Sequence, residues 1–439
     1  MSIKDSRKID LIKNLLKSIH QGESVESIKE KFRDVLLQVS PFEIPLIEQE
    51  LIREGIPISE ILKLCDLHVE LFREFLASKE LKDVPKGHPL DVLVRENEYI
   101  LKKAEALGLY ANAVLGAKNV DEARSNIESI KTIVKELKSI RVHYRKVQML
   151  IFPYLERRGI VAIPRVLWGR EDRVLLKIRE LLKTLAETEI KNLKQARDVA
   201  SKALEIARDL SELVFRENKI LYPTIWTLFS EGEWVAIKEL SKDLGYLVEV
   251  EEEWSSNAKP VYPYEIEEAV VPKEQLEKLP KELQSIIAHR GIEPDKYRIR
   301  DEKDIDLDTG FLSTNEIKAV FASLPLELTY ANNDDRVKFY TNSRIAKGFI
   351  RTKTIIGRKV EYCHPPRLEY LVKKVIRELK ETSRNYREFW TKIGDRIIRV
   401  LIVAVRDEKG KYLGTLEIVE DMTEVIRNPE EIMKKIMVL

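Results

Sequence analysis

Five residues in the middle of the chain carry side chains of the kind that bind metal ions. They are His88, Asp91, His143, Glu171 and Glu217. Imidazole and carboxylate groups together suit iron and manganese, which are hard or borderline metals. Side chains so far apart in sequence can meet only where the fold brings the elements that carry them side by side. The sequence must therefore first show which elements those are.

Four long helical stretches carry these residues. Apolar residues recur at helical spacing in each stretch, and short breaks separate one stretch from the next. The stretches lie near residues 89–113, 120–158, 164–189 and 191–229. Asn119 and Glu122 form a capping box that predicts the start of the second stretch. Long helices joined by short loops make an antiparallel four-helix bundle, and a bundle of this kind builds a di-metal site from side chains on facing helices.

The region before the bundle has the pattern of a smaller helical domain. Residues 40–43 (SPFE) combine a capping box with proline at the first helical position, and a further helix begins at Pro57. Cys65 and His68 share the apolar face of that helix, where a core thiol and a core histidine are the usual interpretation. Two prolines and a glycine within residues 82–89 predict a domain boundary.

The pattern changes again after the bundle. Residues 246–304 are charged and contain proline without a sustained period, which predicts a linker with some local structure. Beyond residue 305, a helix capped by Ser313 and Glu316 leads into a hairpin that turns at Asn332–Asp335. A second helix and three more strands follow. We therefore expect a five-stranded antiparallel sheet with helices covering one face.

At these segments the sequence resembles the hemerythrin-like (HHE cation-binding) family, in members with a preceding helical domain of unknown function and a following PAS domain. The bundle segments that carry the resemblance are GHPLDVLVREN, HYRKVQMLIFPYLERRGI, WGRED and ELVFRENKILYP. The PAS-like segments are ASLPLELTYANNDDRVKFYTN, IIGRKVEYCHPP and RVLIVAVRDEKGKYLGTLEIVEDMTEV, which closes with Asp421-Met422-Thr423.

The resemblance implies a multidomain α plus α/β protein. Its parts are a helical N-terminal domain at 1–82, a hemerythrin-like antiparallel four-helix bundle at 83–245, a linker at 246–304 and a PAS fold at 305–430.

The resemblance also implies a metal site, and this chain departs from the family pattern at three of its positions. The family usually has a second histidine in place of Asp91, a glutamate in place of Gln148 and a histidine in place of Glu171. Carboxylates still bind iron or manganese, whereas a neutral amide is a poor ligand. The candidate ligands are therefore His88, Asp91, His143, Glu171 and Glu217, for one or two non-heme iron ions or manganese.

A structural interpretation of the same residues stays open. In it, His88 caps a helix, Asp91 and Glu171 lie on solvated faces, and His143 is a hydrogen-bonded core residue. Glu217 stands among apolar residues, so its carboxylate needs a buried partner in either case.

In the PAS-like region, Cys363 and His364 are cofactor-binding candidates, because thiolate and imidazole are both axial ligands of heme. The interpretation that we favour is a loop that caps the following helix, so we do not expect heme there.

Three functions of different classes follow from this architecture. The first, which we favour, is a cytoplasmic sensory or regulatory protein whose bundle reports oxygen, nitric oxide or iron and whose PAS domain contacts a protein partner or a second copy. The second is an enzyme, a di-metal oxidase or a nitric-oxide or iron-handling activity. The third is a scaffold that has lost its metal, with the PAS domain as the ligand-binding module.

Composition and motifs exclude several other classes. The 76 basic and 74 acidic side chains leave a formal charge of +2, which gives no support to a role with nucleic acid. Two cysteines make no disulfide framework and fit a reducing cytoplasm. The sequence has no apolar run long enough for a membrane span, no Walker loop and no dinucleotide fingerprint. Abundant isoleucine, lysine and glutamate is typical of proteins from hot environments.

Overall fold

The computed structural model describes residues 81–436 except for 82, 188–189, 267–294 and 344–348. The chain divides into two compact units, Met1–Arg298 and Ile299–Leu439. The predicted N-terminal helices, with Cys65 and His68, lie outside the described residues. Within the described part, no helix is both long enough and apolar enough to cross a membrane.

The first unit contains the predicted four-helix bundle. Helix α1 spans Pro89–Gly116. The second arm runs through α2 (Val120–Glu136), a 3₁₀ turn (Leu137–Ile140), α3 (Arg141–Lys146), a π-helical turn (Val147–Ile151) and α4 (Phe152–Arg157). The third arm is α5 (Ala162–Glu187). The fourth consists of α6 (Leu193–Arg216), a π-helical turn (Glu217–Leu221) and α7 (Tyr222–Leu228), and α8 (Glu231–Leu244) follows it.

Local sequence explains where these helices begin. The side chain of Asn119 accepts a hydrogen bond from the backbone N–H of Glu122 at the start of α2, as the capping box predicted. Asn192 caps α6 in the same way. Ser230 and Glu233 complete a capping box at the start of α8. Each cap satisfies backbone donors that a helix cannot satisfy itself.

Both π-helical turns precede a proline in the sequence. Pro153 follows the turn at Val147–Ile151, and Pro223 follows the turn at Glu217–Leu221. Proline has no backbone N–H and its ring crowds the preceding turn, so the regular hydrogen-bond ladder is interrupted just before it. A π-helical turn widens the helix locally and often accompanies a functional site. Here the two turns carry or adjoin the polar residues at the bundle centre.

One continuous apolar core joins the four arms. Its fully buried members include Leu93 and Ile100 on the first arm, Val134 on the second, Leu181 on the third and Leu210 on the fourth. Burial of such side chains contributes about 1.5–3 kcal/mol each to stability. The polar centre described below is therefore enclosed by apolar packing.

The first part of the predicted linker, residues 246–266, packs along the bundle. The Tyr154 hydroxyl donates to the carbonyl of Val261 at 2.8 Å, and the Arg95 guanidinium donates to the carbonyl of Glu249 at 2.6 Å. Gly232 lets the segment approach α8 closely, since a Cβ there would lie 2.5 Å from the carbonyl oxygen of Lys259. This part of the predicted linker therefore has local structure, and most of its remainder, residues 267–294, lies outside the described residues.

The second unit has the predicted antiparallel sheet. Its strands are β3 (Glu327–Asn332), β4 (Val337–Tyr340), β5 (Tyr386–Ile393), β6 (Arg396–Arg406) and β7 (Tyr412–Asp421), in the order β4-β3-β7-β6-β5. A two-stranded sheet of β1 (Ile305–Asp306) and β2 (Phe311–Leu312) precedes them. The helices are α9 (Thr314–Ser323), α10 (Pro366–Glu381), α11 (Thr423–Arg427) and α12 (Pro429–Lys434).

Two predicted local features of this unit are present. Asp335, with a φ of 60°, lies in the turn between β3 and β4. At the end of β7, Asp421 accepts hydrogen bonds from both the backbone N–H and the hydroxyl of Thr423. Thr423 in turn accepts from the N–H of Ile397 at 2.9 Å, which ties the closing segment to β6.

Candidate functional site

A fully buried histidine links two helices at the centre of the bundle. His143 of α3 bonds through Nδ1 to Oε2 of Glu96 at 2.8 Å and through Nε2 to Oε2 of Glu217 at 2.9 Å. All three side chains are inaccessible to solvent. Glu96 lies on α1 and Glu217 begins the second π-helical turn. The imidazole therefore joins the first, second and fourth arms.

Charge explains why a histidine is stable in this position. Burial lowers the pKa of His143, but the carboxylates of Glu217 and Glu96 outweigh it and raise the pKa to about 9. Burial acts to raise the pKa of Glu96, yet His143 and Lys146 hold it below the usual value. His143 is therefore a cation at neutral pH, and it compensates the charge of buried carboxylates.

Glu96 has two further partners. Lys146, one turn beyond His143, donates from Nζ to Oε1 of Glu96, and both side chains are buried. The backbone N–H of Leu247 donates to the same oxygen at 2.8 Å. The ring of Tyr246 lies 4.7 Å from the Lys146 ammonium. The segment after α8 thus reaches the polar centre of the bundle.

Glu171 on α5 adds a further buried carboxylate to the centre of the bundle. Its Oε2 accepts a hydrogen bond from Nε2 of Gln148 at 2.6 Å, so this amide holds a candidate ligand in place. Burial, followed by the proximity of Glu217, raises the pKa of Glu171 well above its usual value. The Oε1 atoms of Glu171 and Glu217 are both buried without a hydrogen-bond partner.

Two tyrosines enclose these carboxylates. The Tyr222 hydroxyl donates to Oε2 of Glu217 at 3.1 Å and accepts from Nδ2 of Asn97 at 3.0 Å. The Tyr144 hydroxyl is buried and has no hydrogen-bond partner. Burial and then the nearby Glu217 raise the pKa of both phenols well above the usual value, so both stay neutral. They add polar oxygens to the centre without adding charge.

His88 lies away from this centre, among three tryptophans. Its ring makes edge contacts with Trp226, Trp234 and Trp254 at centroid distances of 5.2, 4.8 and 4.6 Å. Its Nδ1 accepts from the backbone N–H of Leu90 and so caps α1. Burial lowers the pKa of His88 to about 4, which leaves the ring neutral.

Asp91 also lies outside the group around His143. One of its carboxylate oxygens accepts from the backbone N–H of Gly87 at 3.0 Å, which closes the turn before α1. The structure thus brings His143, Glu171 and Glu217 together among the five predicted ligands and places His88 and Asp91 elsewhere.

Sequence reasoning missed Glu96, a buried carboxylate with three partners. The signal was present, because Glu96 and Asn97 interrupt the apolar stripe of α1 between Leu93 and Ile100. Both polar residues are fully buried. A buried carboxylate within an apolar stripe requires a cationic or hydrogen-bonding partner, and Lys146 and His143 provide it.

The two candidates in the second unit bond within their own turn. Sγ of Cys363 donates to the carbonyl of Lys359 at 3.5 Å, and Nδ1 of His364 lies 2.8 Å from the carbonyl oxygen of Val360. Burial raises the pKa of the Cys363 thiol. The turn leads directly into α10, whose first turn has no side-chain cap.

The arrangement at the bundle centre leaves few atoms available to a cation. Both nitrogens of His143 are engaged, and Glu96 is neutralised by His143 and Lys146. His143, Glu96 and Glu217 meet, but they bond to one another, and among the described residues no group of three His, Cys, Asp or Glu side chains is placed to hold a metal ion. The buried oxygens without partners, on Glu171 and Glu217, are the atoms that a proton or a metal ion would satisfy. The residues therefore do not fit two metal ions, and they offer two carboxylates to one.

Sequence-family models match three successive parts of the chain. A family of unknown function (DUF438) matches residues 12–78, the hemerythrin HHE cation binding domain matches residues 88–225, and a PAS domain matches residues 317–423. The predicted architecture is thereby confirmed. Among curated proteins, none matches this chain.

Two solved structures are similar to parts of the chain. The C-terminal domain of a Streptococcus mutans protein is 33% identical, covering 29% of this chain and 98% of that one with a TM-score of 0.27. The PAS domain of a Colwellia psychrerythraea protein is 17% identical, covering 25% of this chain and 97% of that one with a TM-score of 0.21.

Proposed function

We propose that this chain, a sensory or regulatory protein with a hemerythrin HHE cation-binding domain and a PAS domain, reports the availability of a divalent metal through its bundle. The metal is Fe(II) or Mn(II), and one ion binds per chain. The PAS domain carries the response to a protein partner or to a second copy of the chain. The protein acts in a reducing cytoplasm, where its two cysteines remain thiols.

One observation carries this proposal. Oε1 of Glu171 and Oε1 of Glu217 are buried carboxylate oxygens without a hydrogen-bond partner. A buried carboxylate oxygen without a partner is costly, so a cation that both side chains bind would stabilise the folded bundle. Carboxylate oxygens are ligands that Fe(II) and Mn(II) accept. Glu171 and Glu217 would hold the ion, with His143 beside them.

Internal charge compensation favours a sensor over a permanently loaded enzyme. Without metal, His143 and Lys146 already balance the carboxylates that they contact. A bundle that is stable in the metal-free form can bind and release an ion reversibly, and metal binding then competes with protons. A two-metal oxidase would need Glu96 and His143 to give up these partners. When bound, the metal would supply positive charge that holds Glu171 in its ionised form.

Metal analysis of the full-length chain tests the proposal. The protein is loaded with Fe(II) or Mn(II) under anaerobic conditions, desalted and analysed for metal content, together with its absorption spectrum. We expect about one ion per chain, and loss of that ion in Glu171→Gln and in Glu217→Gln, because each change removes a negatively charged ligand.

Matched controls come from the two candidates that make no contact with Glu171 or Glu217. His88→Asn and Asp91→Asn should retain the ion. Two ions per chain, or loss of metal in either control, would show that the bundle rearranges to a family-type site and would overturn the single-ion proposal. A wild-type protein that takes up neither metal would overturn it in favour of the scaffold function.

A further inference from the structure

A cavity of about 390 Å³ lies beside the polar centre of the bundle. Four parts of the first unit surround it. They are the start of α1, the first π-helical turn, the second half of α8 and the segment 246–253 that packs back onto the bundle. Its volume falls in the range of pockets that hold small organic molecules.

The inner wall of the cavity is apolar. Val92 and Leu93 line it from α1, Leu150 and Ile151 from the π-helical turn, and Ile237 from α8. All five side chains are buried. An occupant that touches this wall gains affinity by removing its own apolar surface from water. The wall therefore selects a molecule with an apolar body.

The polar part of the lining carries more positive than negative side chains. Lys146, Lys238 and Lys242 line the cavity, against the acidic residues Glu249 and Glu253. Lys238 and Lys242 stand one turn apart on α8, so both ammonium groups can approach one anionic group. The lining thus combines an apolar wall with a pair of adjacent amines.

Glu253 now occupies the position that an anionic ligand would take. Its carboxylate lies 3.3 Å from Nζ of Lys238 and 3.5 Å from Nζ of Lys242, and its side chain is 61% exposed. Exposed ion pairs of this kind contribute little to stability, because water screens the attraction and replaces either partner. A ligand carboxylate can therefore replace Glu253 at a small cost, because Glu253 regains water.

We infer that this cavity binds a small organic carboxylate, with its head between Lys238 and Lys242 and its apolar body against Leu93, Leu150 and Ile237. The body is a short alkyl chain or a single ring, as the volume allows. The proposal does not depend on metal at the bundle centre, because none of these five residues is a candidate ligand.

Three residues connect the cavity to the polar centre. Tyr246 lines the cavity and contacts the Lys146 ammonium, while Leu247 donates to Glu96. Lys146 lines the cavity and bonds to the same carboxylate. An occupant that holds the segment 246–253 in place therefore also holds the hydrogen bond from Leu247 to Glu96.

Isothermal titration calorimetry of the full chain with octanoate tests the site. We expect saturable binding of one octanoate per chain. 1-Octanol has the body without the charge, acetate has the charge without the body, and octylamine has the opposite charge. Each should bind at least about tenfold more weakly, since a factor of ten corresponds to one lost favourable contact of about 1.4 kcal/mol.

Lysine variants locate the binding. Lys238→Gln/Lys242→Gln should weaken octanoate binding about tenfold or more, whereas Lys238→Arg/Lys242→Arg should retain it. Lys183→Gln/Lys202→Gln removes two exposed lysines outside the cavity and should have no effect. Hydrogen exchange of residues 246–253 should slow when octanoate is bound.

Three results would overturn the proposal. They are no saturable octanoate binding, octylamine binding as tight as octanoate, or octanoate affinity unchanged in the glutamine double variant. If that variant does not fold, the arginine double variant and the four probes on the wild-type chain still decide the question.

Discussion

Lys146 donates a hydrogen bond to Glu96 in the buried centre of the bundle, fifty positions away along the chain. The Lys146 side chain is 3% exposed and that of Glu96 is 0% exposed. Burial lowers the pKa of the Lys146 ammonium, against the raising effect of Glu96. A buried ion pair of this kind costs desolvation on both sides, and its stability depends on both partners being present.

Glu96→Gln should therefore destabilise the bundle strongly. The change leaves Lys146 without its carboxylate and His143 with Glu217 alone, and breaking a buried pair costs about 3–5 kcal/mol. Urea unfolding followed by far-ultraviolet circular dichroism measures the loss. Glu98→Gln, on the exposed side of the same helix, is the control and should change stability by less than about 0.5 kcal/mol. Equal effects of the two changes would show that the buried pair contributes nothing.

The buried ring of His88 should make the free energy of unfolding depend on pH. Its pKa falls from 6.5 to about 4 in the folded chain because the ring is buried. As the pH decreases through 6.5, His88 becomes protonated in the unfolded chain. In the folded chain it becomes protonated only near pH 4. The free energy of unfolding should therefore fall by up to about 3 kcal/mol over this window, and it should not change above it on account of His88.

A variant isolates this contribution. His88→Asn keeps a side chain that can cap α1 and removes the titration. Urea unfolding of both proteins at pH 7 and pH 4.5 should show a smaller pH effect in the variant, although the lost contacts with the tryptophans lower its stability at both values. Parallel pH profiles would mean that His88 is protonated at the same pH in the folded and unfolded chains.

The sequence predicted the helices and strands better than the partners of their polar residues. Helical and alternating periods depend on neighbours along the chain, and they placed the four arms and the sheet. Which side chain faces which depends on how the arms rotate. His88, next to Pro89, sits at the start of α1 and so lies among tryptophans, while Glu96 lies two turns further on at the level of His143.

The two π-helical turns are a second reason why the partners of the polar residues could not be predicted from the sequence. Each inserts extra backbone into a helix, so the direction of every later side chain on that arm shifts away from the regular 3.6-residue period. Gln148 lies within the first turn and Glu217 begins the second. Pro153 and Pro223 were visible in the sequence, but a proline alone does not say whether a helix will kink, end or widen.

At the edge of the bundle, a side chain in place of Gly87 should lower stability. It has a φ of 72°, and a Cβ there would lie 2.1 Å from the carbonyl oxygen of Glu252. Gly87→Ala should destabilise the first unit by about 2 kcal/mol or more, because the segment around Glu252 must move. Gly116→Ala has no neighbour within 4 Å of the added Cβ and should be neutral or slightly stabilising. Thermal unfolding of the two variants makes the comparison, and a neutral Gly87→Ala would show that the segment is not held there.

In the second unit, the mostly buried side chain of Arg351 should contribute strongly to stability. Its guanidinium bonds to Glu327 on β3 and to Glu417 on β7, and its side chain is 9% exposed. Arg351→Met leaves both carboxylates without this cation, so we expect the free energy of unfolding of the second unit to fall by about 3 kcal/mol. Hydrogen exchange of β3 and β7 in the full chain measures this loss. Arg399 also bridges two glutamates, Glu388 and Glu420, but it is 32% exposed. Arg399→Met should therefore lower the stability of the second unit much less than Arg351→Met does, since water replaces the lost partner. Equal protection in the two variants would mean that burial does not decide the strength of these bridges.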